Sequence, residues 1–476
     1  MDEIKQKLPI SRSLIDENIY YTENGKDVFI TSNLDEVKNK INPSIDKKAI
    51  DLYLTLRYVP APYTMYKGIK RVPVFHNLNV KKDEIRIQKK EMSAPKDYDY
   101  KTFVRKSREL LLDNISNKIK DESEVALLLS GGIDSSVVLA ALSKFDVGIK
   151  TYTLGFSEDD SDLLHARKLA EFYSTDHKEI ILGDFPEKVF QKIISNMENP
   201  NGDPTLIPVK ILIENVKGVN KIFVGEGGDE VFGGYPEFRF IELGRYMKVF
   251  PTFIKSFAIN FMQGEIKERG SLFLRYYNTN HAKSFLYLKS VFAPEEKEKL
   301  YTNDFKNGFE IEDGDIFNFT PDLGYLQNVM GFYLENQLPG RLIPKYYTKN
   351  FKFCFPLLDE RMVDLMLLAP LEYKFSLIRG KDKKVLRKFM KPELPSFILN
   401  RKKRGFTVPI EKWMKGKLKE EINKTFNKEK IKKRKRFNWA YVQKVLRDYD
   451  KNFYWRNKLW SLFVLERWLD EHEQNR

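Results

Sequence analysis

A short segment, "SGGIDSS", carries residue types that could do chemistry on a phosphorylated ligand. It begins at Ser130 and places two glycines, three serines and one aspartate within seven positions. Glycines let the backbone approach a ligand closely, and serine hydroxyls donate hydrogen bonds to phosphate oxygens. Asp134 would repel a bare phosphate, so its presence indicates a cation that bridges to the phosphates. The segment therefore predicts an anion-binding turn that also holds a metal ion, for which oxygen ligands favour Mg²⁺.

The elements on either side of the turn fit this prediction. A hydrophobic strand over 125–129 precedes the turn, and a helix is predicted from Asp134. A helix N-terminus offers unpaired N–H groups and the positive end of a dipole, so it attracts phosphate. The segment lacks the lysine of the GxxxxGK[ST] loop used in γ-phosphoryl transfer. The segment therefore does not match the loop that transfers a γ-phosphoryl group.

The wider pattern predicts an α/β fold. Further strands are expected over 149–156, 178–182 and 221–225, each separated from the next by amphipathic helical segments. This alternation is typical of βαβ units in a parallel sheet, whose ligands bind at the carboxyl ends of the strands. After about residue 236 the strand signal fades, and the C-terminal half is predicted to be mostly helical. Residues 1–95 show only two short strand-like pieces and one helical segment.

A second glycine-rich turn, "VGEGGDEVFGGY" over 224–235, follows the strand at 221. "SGGIDSS" resembles the pyrophosphatase (PP) loop of enzymes that split ATP between the α and β phosphates, and the second turn resembles the "SGEGSDEVFGGY" segment of asparagine synthetases. "LNRKKRGFTVPIEKWM" (399–414) and "YLTLRYVPAPYTMYKGIKRVP" (53–73) are similar to further segments of that family. The resemblance implies a PP-loop core, with residues 1–95 as the tail and linker of a glutaminase domain and 96–476 as the synthetase domain.

The resemblance also implies roles for individual residues. Asp134 and Asp229 would coordinate Mg²⁺, Glu226 would take a proton from the attacking amine, and Lys403 would stabilise negative charge in the transition states. The β,γ-pyrophosphate would be held by Ser130, Gly131, Gly132, Asp134, Ser135 and Ser136. Adenine and ribose would be bordered by Leu129, Leu154, Val224 and Gly225. The implied reaction makes an acyl-adenylate and pyrophosphate from a carboxylate and ATP, and an amine or ammonia then displaces AMP.

The sequence departs from the family at its glutamine-using end. Glutamine-dependent members begin Met-Cys, whereas residue 2 here is Asp2, and the joining segment begins near residue 50. We expect that the chain cannot hydrolyse glutamine by the family mechanism. Free ammonia, another amine, or ammonia from a separate glutaminase subunit would supply the nitrogen.

The acceptor side departs as well. Lys352 stands where the family has glutamate, Cys354 where it has arginine, and Ile343 and Pro344 replace an Asp-Arg pair. Asparagine formation therefore stands near parity with a specialised acceptor, such as a sugar acid, a peptide carboxylate closing a macrolactam, or a β-amino acid closing a β-lactam. A PP-loop tRNA-modifying enzyme would usually need paired cysteines. A catalytically silent subunit conflicts with the retained Asp134, Glu226, Asp229 and Lys403.

Composition limits the other classes. The single cysteine excludes intrachain disulfides and cysteine-built zinc sites, and the five histidines show no pair at metal-ligand spacing. The net charge is +15, yet the densest basic run, 428–437, reads as a solvated helix end, which disfavours a nucleic-acid partner. No apolar run reaches the ~20 residues that span a bilayer, and the first residues do not resemble a signal peptide. We expect a cytoplasmic enzyme without a membrane partner, and a homodimer is left open.

Overall fold

A five-stranded parallel sheet forms the centre of the structure, a computed structural model. It describes residues 10–12, 17–24, 27–81, 84–90, 98–247, 273, 277, 280–307, 324–341, 350–377, 382–402 and 405–473. In spatial order the strands are β11 (Lys352–Cys354), β10 (Lys221–Val224), β7 (Glu124–Leu128), β8 (Gly148–Gly155) and β9 (Asp176–Ile181). Every neighbouring pair is parallel. All carboxyl ends therefore meet at one edge, and both glycine-rich turns leave from that edge.

Residues before the sheet form two small antiparallel sheets of three strands. One has the order β1 (Ile10–Arg12), β5 (His76–Lys81) and β6 (Glu84–Lys89). The other has the order β3 (Asp27–Thr31), β2 (Tyr20–Asn24) and β4 (Lys70–Arg71). The two strand-like pieces predicted in this region correspond to β3 and β6.

Helices cover both the crossovers of the central sheet and most of the C-terminal half. In chain order they are α1 Leu34–Ile41, α2 Lys47–Leu56, α3 Tyr100–Ile119, α4 Ile133–Leu142, α5 Ser161–Phe172, α6 Glu187–Ser195, α7 Leu206–Asn215, α8 Gly228–Phe232, α9 Pro236–Met247, α10 His281–Lys289, α11 Pro294–Leu300, α12 Asn303–Lys306, α13 Tyr325–Phe332, α14 Glu360–Leu367, α15 Leu371–Lys374, α16 Lys384–Phe389, α17 Ser396–Leu399, α18 Ile410–Lys415, α19 Leu418–Thr425, α20 Lys428–Arg434, α21 Trp439–Asp448 and α22 Phe453–Glu473. A π-helix, Tyr333–Gln337, continues α13, and a 3₁₀ turn spans Pro356–Leu358.

The predicted alternation over residues 100–225 is confirmed, but one strand was missed. The fifth strand, β11, comes from the half predicted to be helical, and Phe353 and Cys354 pair with Ile222 and Phe223 of β10. A three-residue edge strand carries too little periodicity to show in the sequence. The α/β class with a mostly helical C-terminal half is otherwise as predicted.

Among the described residues, two large hydrophobic cores account for most of the packing, and a small third one joins Tyr21, Val72 and Leu78. One surrounds the central sheet, and the other joins α2 to the long C-terminal helix α22. The Tyr53 hydroxyl in α2 donates to the Ser461 carbonyl at 3.0 Å, and Lys297 pairs with Asp51 at 2.6 Å. Residues 1–95 thus contribute directly to the core of the C-terminal half. The domain boundary near residue 95 stays a prediction.

The basic run 428–437 is less solvated than predicted. Lys430 pairs with Asp470 at 2.5 Å, Arg434 pairs with Asp470 at 2.7 Å and with Glu466, and Arg436 pairs with Glu473. These ion pairs fasten α20 to α22, and the remaining lysines of the run point to solvent. Among the helices described, none is both long enough and apolar enough to cross a membrane.

A buried lysine, Lys374 at the end of helix α15, gives a stability prediction. The Lys374 side chain is 1% exposed, and its Nζ donates to the Leu367 carbonyl at 3.3 Å and to the Met330 sulfur at 3.7 Å. Burial lowers the pKa of Lys374 to about 7. The unfolded chain binds a proton near pH 10.5, so stability falls as the pH drops from 10.5 to 7 and levels off below.

Replacing Lys374 by methionine, which fills a similar volume, should remove this pH dependence. At pH 7 we expect a gain on the order of 3–4 kcal/mol in the free energy of unfolding, and little gain at pH 10.5. Urea unfolding of wild type and Lys374→Met across this range measures the difference. Lys101→Met, an exposed lysine on α3, is the control and should leave the pH profile unchanged. A gain independent of pH would contradict the explanation.

Candidate functional site

The first turn is closed by its own serines. The Ser135 hydroxyl accepts from the Ser130 N–H at 3.1 Å and lies 3.1 Å from the Ser130 hydroxyl oxygen. The Ser136 hydroxyl donates to the Gly132 carbonyl at 2.7 Å. Helix α4 follows at once, so its first N–H groups lie at the mouth of the turn. The turn presents backbone donors and the positive end of a helix dipole at the carboxyl edge of the sheet, an arrangement suited to phosphate.

The second turn packs directly on the first, and its glycines make this contact possible. A Cβ atom on Gly225 would lie 2.6 Å from the Ser135 nitrogen, and one on Gly228 would lie 2.2 Å from Asp134 Oδ1. Any larger residue at these two positions would push the turns apart. The glycines of the pattern G-E-G-G-D-E therefore have a steric reason here, since the close contact brings Asp229 beside Asp134.

The two acidic residues predicted as metal ligands, Asp134 and Asp229, both pair with the ammonium nitrogen of Lys383. Lys383 Nζ lies 2.5 Å from Asp134 Oδ2 and 2.7 Å from Asp229 Oδ1, and the lysine side chain is 2% exposed. Burial lowers the pKa of Lys383, but the two carboxylates raise it by more, so the net shift is upward and the amine is charged. The structure thus brings Asp134 and Asp229 to one ammonium group, that of Lys383. Their role as metal ligands stays a prediction.

These carboxylates fit a magnesium site that is completed by a ligand. Within the described ranges, no cluster of three or more histidine, cysteine or acidic side chains could hold a metal. Mg²⁺ in nucleotide enzymes is usually bound by one or two carboxylates together with substrate phosphates and water. Asp134 and Asp229 would supply those two carboxylates beside the first turn.

Glu230, in the second glycine-rich turn, and Arg341 form a second set of charged side chains that interact with each other. Glu230 is buried, and burial together with the neighbouring Asp229 charge raises the pKa of Glu230 to about 7, although Tyr235 donates a hydrogen bond to its Oε1 at 2.6 Å. Arg341 balances this charge and interacts electrostatically with Glu226 as well. Glu226 itself is half-buried, two residues beyond the end of β10.

Some of the remaining predicted residues lie in the part of the chain that the structure describes, and others lie outside it. Leu129, Leu154 and Val224 are buried where β7, β8 and β10 end, and Gly225 follows Val224. The C-terminal motif reaches the first turn through Arg401, which donates to the Gly131 carbonyl at 2.5 Å and pairs with Asp162. Lys403, Ile343 and Pro344 lie outside the described residues. Lys403 follows Arg401 by two positions in the sequence. Because Lys403 lies outside the described residues, its role at the first turn stays a prediction.

Lys352 was expected to change which carboxylate acceptor is used, but its position in the sheet does not support this expectation. Lys352 pairs in register with Lys221 at the amino end of β10, so it lies at the end of the sheet opposite to the two turns. Cys354, opposite Phe223, is buried in the sheet at 1% exposure. Lys352 therefore does not lie at the edge from which the two glycine-rich turns leave, and Cys354 packs inside the sheet, so their exchange does not by itself indicate a changed substrate.

Comparison with known proteins identifies the family to which this chain belongs. The family model described as "Asparagine synthase" matches residues 106–470, and the one described as "Glutamine amidotransferase domain" matches residues 1–91. The chain belongs to the asparagine synthase family. This family comprises ATP-dependent amide ligases, and its core carries the PP-loop on a parallel sheet, as found here.

Two curated relatives are similar over different lengths. "Asparagine synthetase [glutamine-hydrolyzing] 1" of Bacillus subtilis is 24% identical over 97% of this chain and 73% of its own length. A "putative asparagine synthetase [glutamine-hydrolyzing] 2" of Methanocaldococcus jannaschii is 29% identical over 45% of this chain and 44% of its own length. Among solved structures, an NH3-dependent NAD synthetase from Campylobacter jejuni matches with a TM-score of 0.22 and 18% identity, covering 45% of this chain and 99% of that one.

Two residues of this site were not found from the sequence. Lys383 lies in "RGKDKKVLRK", where four lysines and two arginines look alike. Arg401 was noted only as part of a motif. A signal for Arg401 existed, because that motif had already been linked to the nucleotide-binding turns.

Proposed function

We propose that this asparagine synthase family member is an AMP-forming amide ligase. A carboxylate oxygen attacks the α-phosphorus of ATP, which forms an acyl-adenylate and releases pyrophosphate. Ammonia or an amine then attacks the acyl carbon, so that the amide forms, AMP leaves and one proton is given up. The observation that carries the proposal is the packing of the two glycine-rich turns, which brings Asp134 and Asp229 to one cation position beside the phosphate-binding serines.

The chain's own residues have separate tasks in this proposal. The β,γ-pyrophosphate lies against the N-terminus of α4 and is held by Ser130, Gly131, Gly132, Asp134, Ser135 and Ser136. Adenine and ribose lie on Leu129, Leu154, Val224 and Gly225. Asp134 and Asp229 would hold Mg²⁺, which offsets charge on the phosphates. Glu226 takes the proton from the attacking amine, and Lys403 stabilises the developing negative charge.

Lys383 extends this assignment. Asp134 and Asp229 would hold Mg²⁺, and Lys383, which pairs with both carboxylates, would add a second positive charge beside the phosphates. A buried ammonium at that place stabilises negative charge on a leaving pyrophosphate. Before ATP binds, the same ammonium keeps the two carboxylates from repelling each other.

The position of Cys354 supports a nitrogen source other than glutamine hydrolysis by this chain. A glutaminase of the N-terminal nucleophile type needs an accessible thiolate, whereas Cys354 is buried in the central sheet, and burial raises the pKa of its thiol. We propose that this chain uses ammonia or an amine, supplied free or by a separate glutaminase subunit. Asparagine is the simplest product, and a specialised acceptor remains the alternative.

Pyrophosphate release tests the proposal. The protein is incubated with ATP, Mg²⁺ and one carboxylate from a panel of aspartate, sugar acids, β-amino acids and peptides, with and without ammonium. We expect AMP and pyrophosphate in equal amounts with at least one acid, and an amide product when a nitrogen donor is present. Asparagine from aspartate and ammonium identifies the first acceptor, and turnover only with another acid identifies the alternative. Accumulation of ADP instead of AMP would contradict the mechanism.

A further inference from the structure

A cavity of about 360 Å³ lies at the amino ends of β10 and β11, at the end of the central sheet opposite to the two glycine-rich turns. Among the described residues that line it, one is acidic, Asp359, and four are basic, namely Lys118, Lys221, Lys352 and Arg361. The volume falls within the range of small-molecule sites. The cavity is therefore large enough for a small ligand and is separate from the proposed nucleotide site.

Two of the lysines stand side by side on the sheet. Lys221 and Lys352 are partners in the register of two parallel strands, so their side chains leave the same face. Like charges in such positions destabilise a sheet. Lys221 is compensated, because its ammonium group pairs with Glu122 at 3.1 Å and donates to the Lys118 carbonyl at 2.8 Å. Its position is thus fixed by the end of α3.

The other two lysines are not compensated. In the part of the chain that the structure describes, the ammonium groups of Lys118 and Lys352 pair with no carboxylate. Burial raises the pKa of the neighbouring Cys354 thiol, whereas the charges of Lys118, Lys221 and Lys352 lower it and that of Glu122 raises it. Three positive charges therefore act on one point in the cavity wall, which favours an anion there.

The acidic residue of the lining is already engaged. Asp359 Oδ1 accepts from the Arg361 backbone N–H and from Arg361 Nε, both at 3.0 Å, and Asp359 Oδ2 accepts from Asn114 Nδ2 at 2.5 Å. Arg361 also pairs with Asp113 at 2.7 Å. Arg361 and the two carboxylates thus form a set of their own, and Asp359 does not neutralise the lysines.

Asn114 adds a hydrogen-bonding group whose pairing is incomplete. The residue is 8% exposed, its Nδ2 donates to Asp359, and its Oδ1 accepts from no group within the described ranges. A buried acceptor without a donor is rare in native proteins, and an additional solute or water usually explains it. A wall of this kind suits a polar ligand better than an apolar one.

We propose that this cavity binds a phosphorylated small molecule, whose phosphate lies between the ammonium groups of Lys118 and Lys352 with Lys221 as a third positive charge. A phosphate monoester carries about −1.5 to −2 charges at pH 7, which matches the two uncompensated lysines. A single carboxylate would leave one of them without a counter-ion. Because the site lies at the opposite end of the sheet from both turns, the inference does not depend on the proposed function.

Thermal unfolding with glucose 6-phosphate as the probe tests the inference, because a ligand that binds the folded state raises the Tm. Glucose with sodium chloride at equal ionic strength is the reference and should have little effect. Lys118→Gln and Lys352→Gln should each weaken the apparent affinity about fivefold or more, since each removes a charge-assisted contact. Lys120→Gln removes an exposed lysine directly after α3 that does not line the cavity, and it should bind like the wild type.

The first turn also suits a phosphate, so the titration is repeated with saturating ATP and Mg²⁺, and the shift in Tm should persist. Without ligand, Lys118→Gln and Lys352→Gln should be as stable as the wild type, because neither lysine has a counter-ion to lose. If one variant does not fold, the other decides. Equal shifts with glucose 6-phosphate and the reference, unchanged affinity in both variants, or complete loss of the shift when ATP is present would each overturn the inference.

Discussion

Replacing Lys383 by methionine is expected to destabilise the protein by about 3–5 kcal/mol, as measured by urea unfolding at pH 7. The Lys383 ammonium is buried between Asp134 and Asp229 at 2.5 and 2.7 Å. Methionine fills a similar volume, so packing is kept while two carboxylates lose their shared counter-ion. The cost is that of leaving two neighbouring carboxylates, each about a quarter exposed, without a counter-ion, and it exceeds the value of an exposed ion pair.

Two comparisons separate this cause from a general loss of packing. Lys106→Met breaks the exposed pair with Glu109 on α3 and should cost less than about 1 kcal/mol. In Lys383→Met, Mg²⁺ should recover part of the lost stability, because the metal can take the place of the ammonium and binds only the folded state. A loss below 1 kcal/mol, or one that Mg²⁺ does not reduce, would mean that the carboxylates are not held together by Lys383.

The sequence predicted those parts of the structure that depend on local pattern. Strands β7 to β10 and their crossover helices follow from short apolar segments alternating with amphipathic ones. The turn at Ser130 follows from the crowding of glycine, serine and aspartate between a strand and a helix. Parallel pairing then places both turns at one edge. The common metal site of Asp134 and Asp229 was implied by the resemblance to asparagine synthetases, and not by the pattern itself.

What the sequence did not predict depends on contacts between distant segments. Lys383 reaches Asp134 across 249 positions, and nothing in its neighbours distinguishes it from the other lysines nearby. Arg341 likewise reaches Asp203 across 138 positions. The short strand β11 forms because it extends an existing sheet, and its own three residues give no signal. In each case the tertiary structure creates the property.

Replacing Asp134 by asparagine is expected to lower the rate of pyrophosphate release by about 10²–10³-fold, equivalent to about 3–4 kcal/mol of transition-state stabilisation. The amide keeps the shape of the side chain and removes its charge. Stability should change much less than in Lys383→Met, because Lys383 retains Asp229 at 2.7 Å. Loss of rate with a nearly unchanged unfolding midpoint therefore assigns Asp134 to the reaction rather than to the fold.

The magnesium dependence of this variant makes the assignment sharper. If Asp134 holds the metal that contacts the phosphates, Asp134→Asn should need a higher Mg²⁺ concentration for half-maximal pyrophosphate release, and ATP should bind more weakly in parallel. Asp113→Asn removes an exposed carboxylate that pairs with Arg361 on the outer side of α3, and it should leave both quantities unchanged. An Asp134→Asn variant that keeps more than a tenth of the wild-type rate at the same Mg²⁺ concentration would show that Asp229 and the phosphates hold the metal without Asp134. The convergence of the two carboxylates on Lys383 would then serve the fold alone.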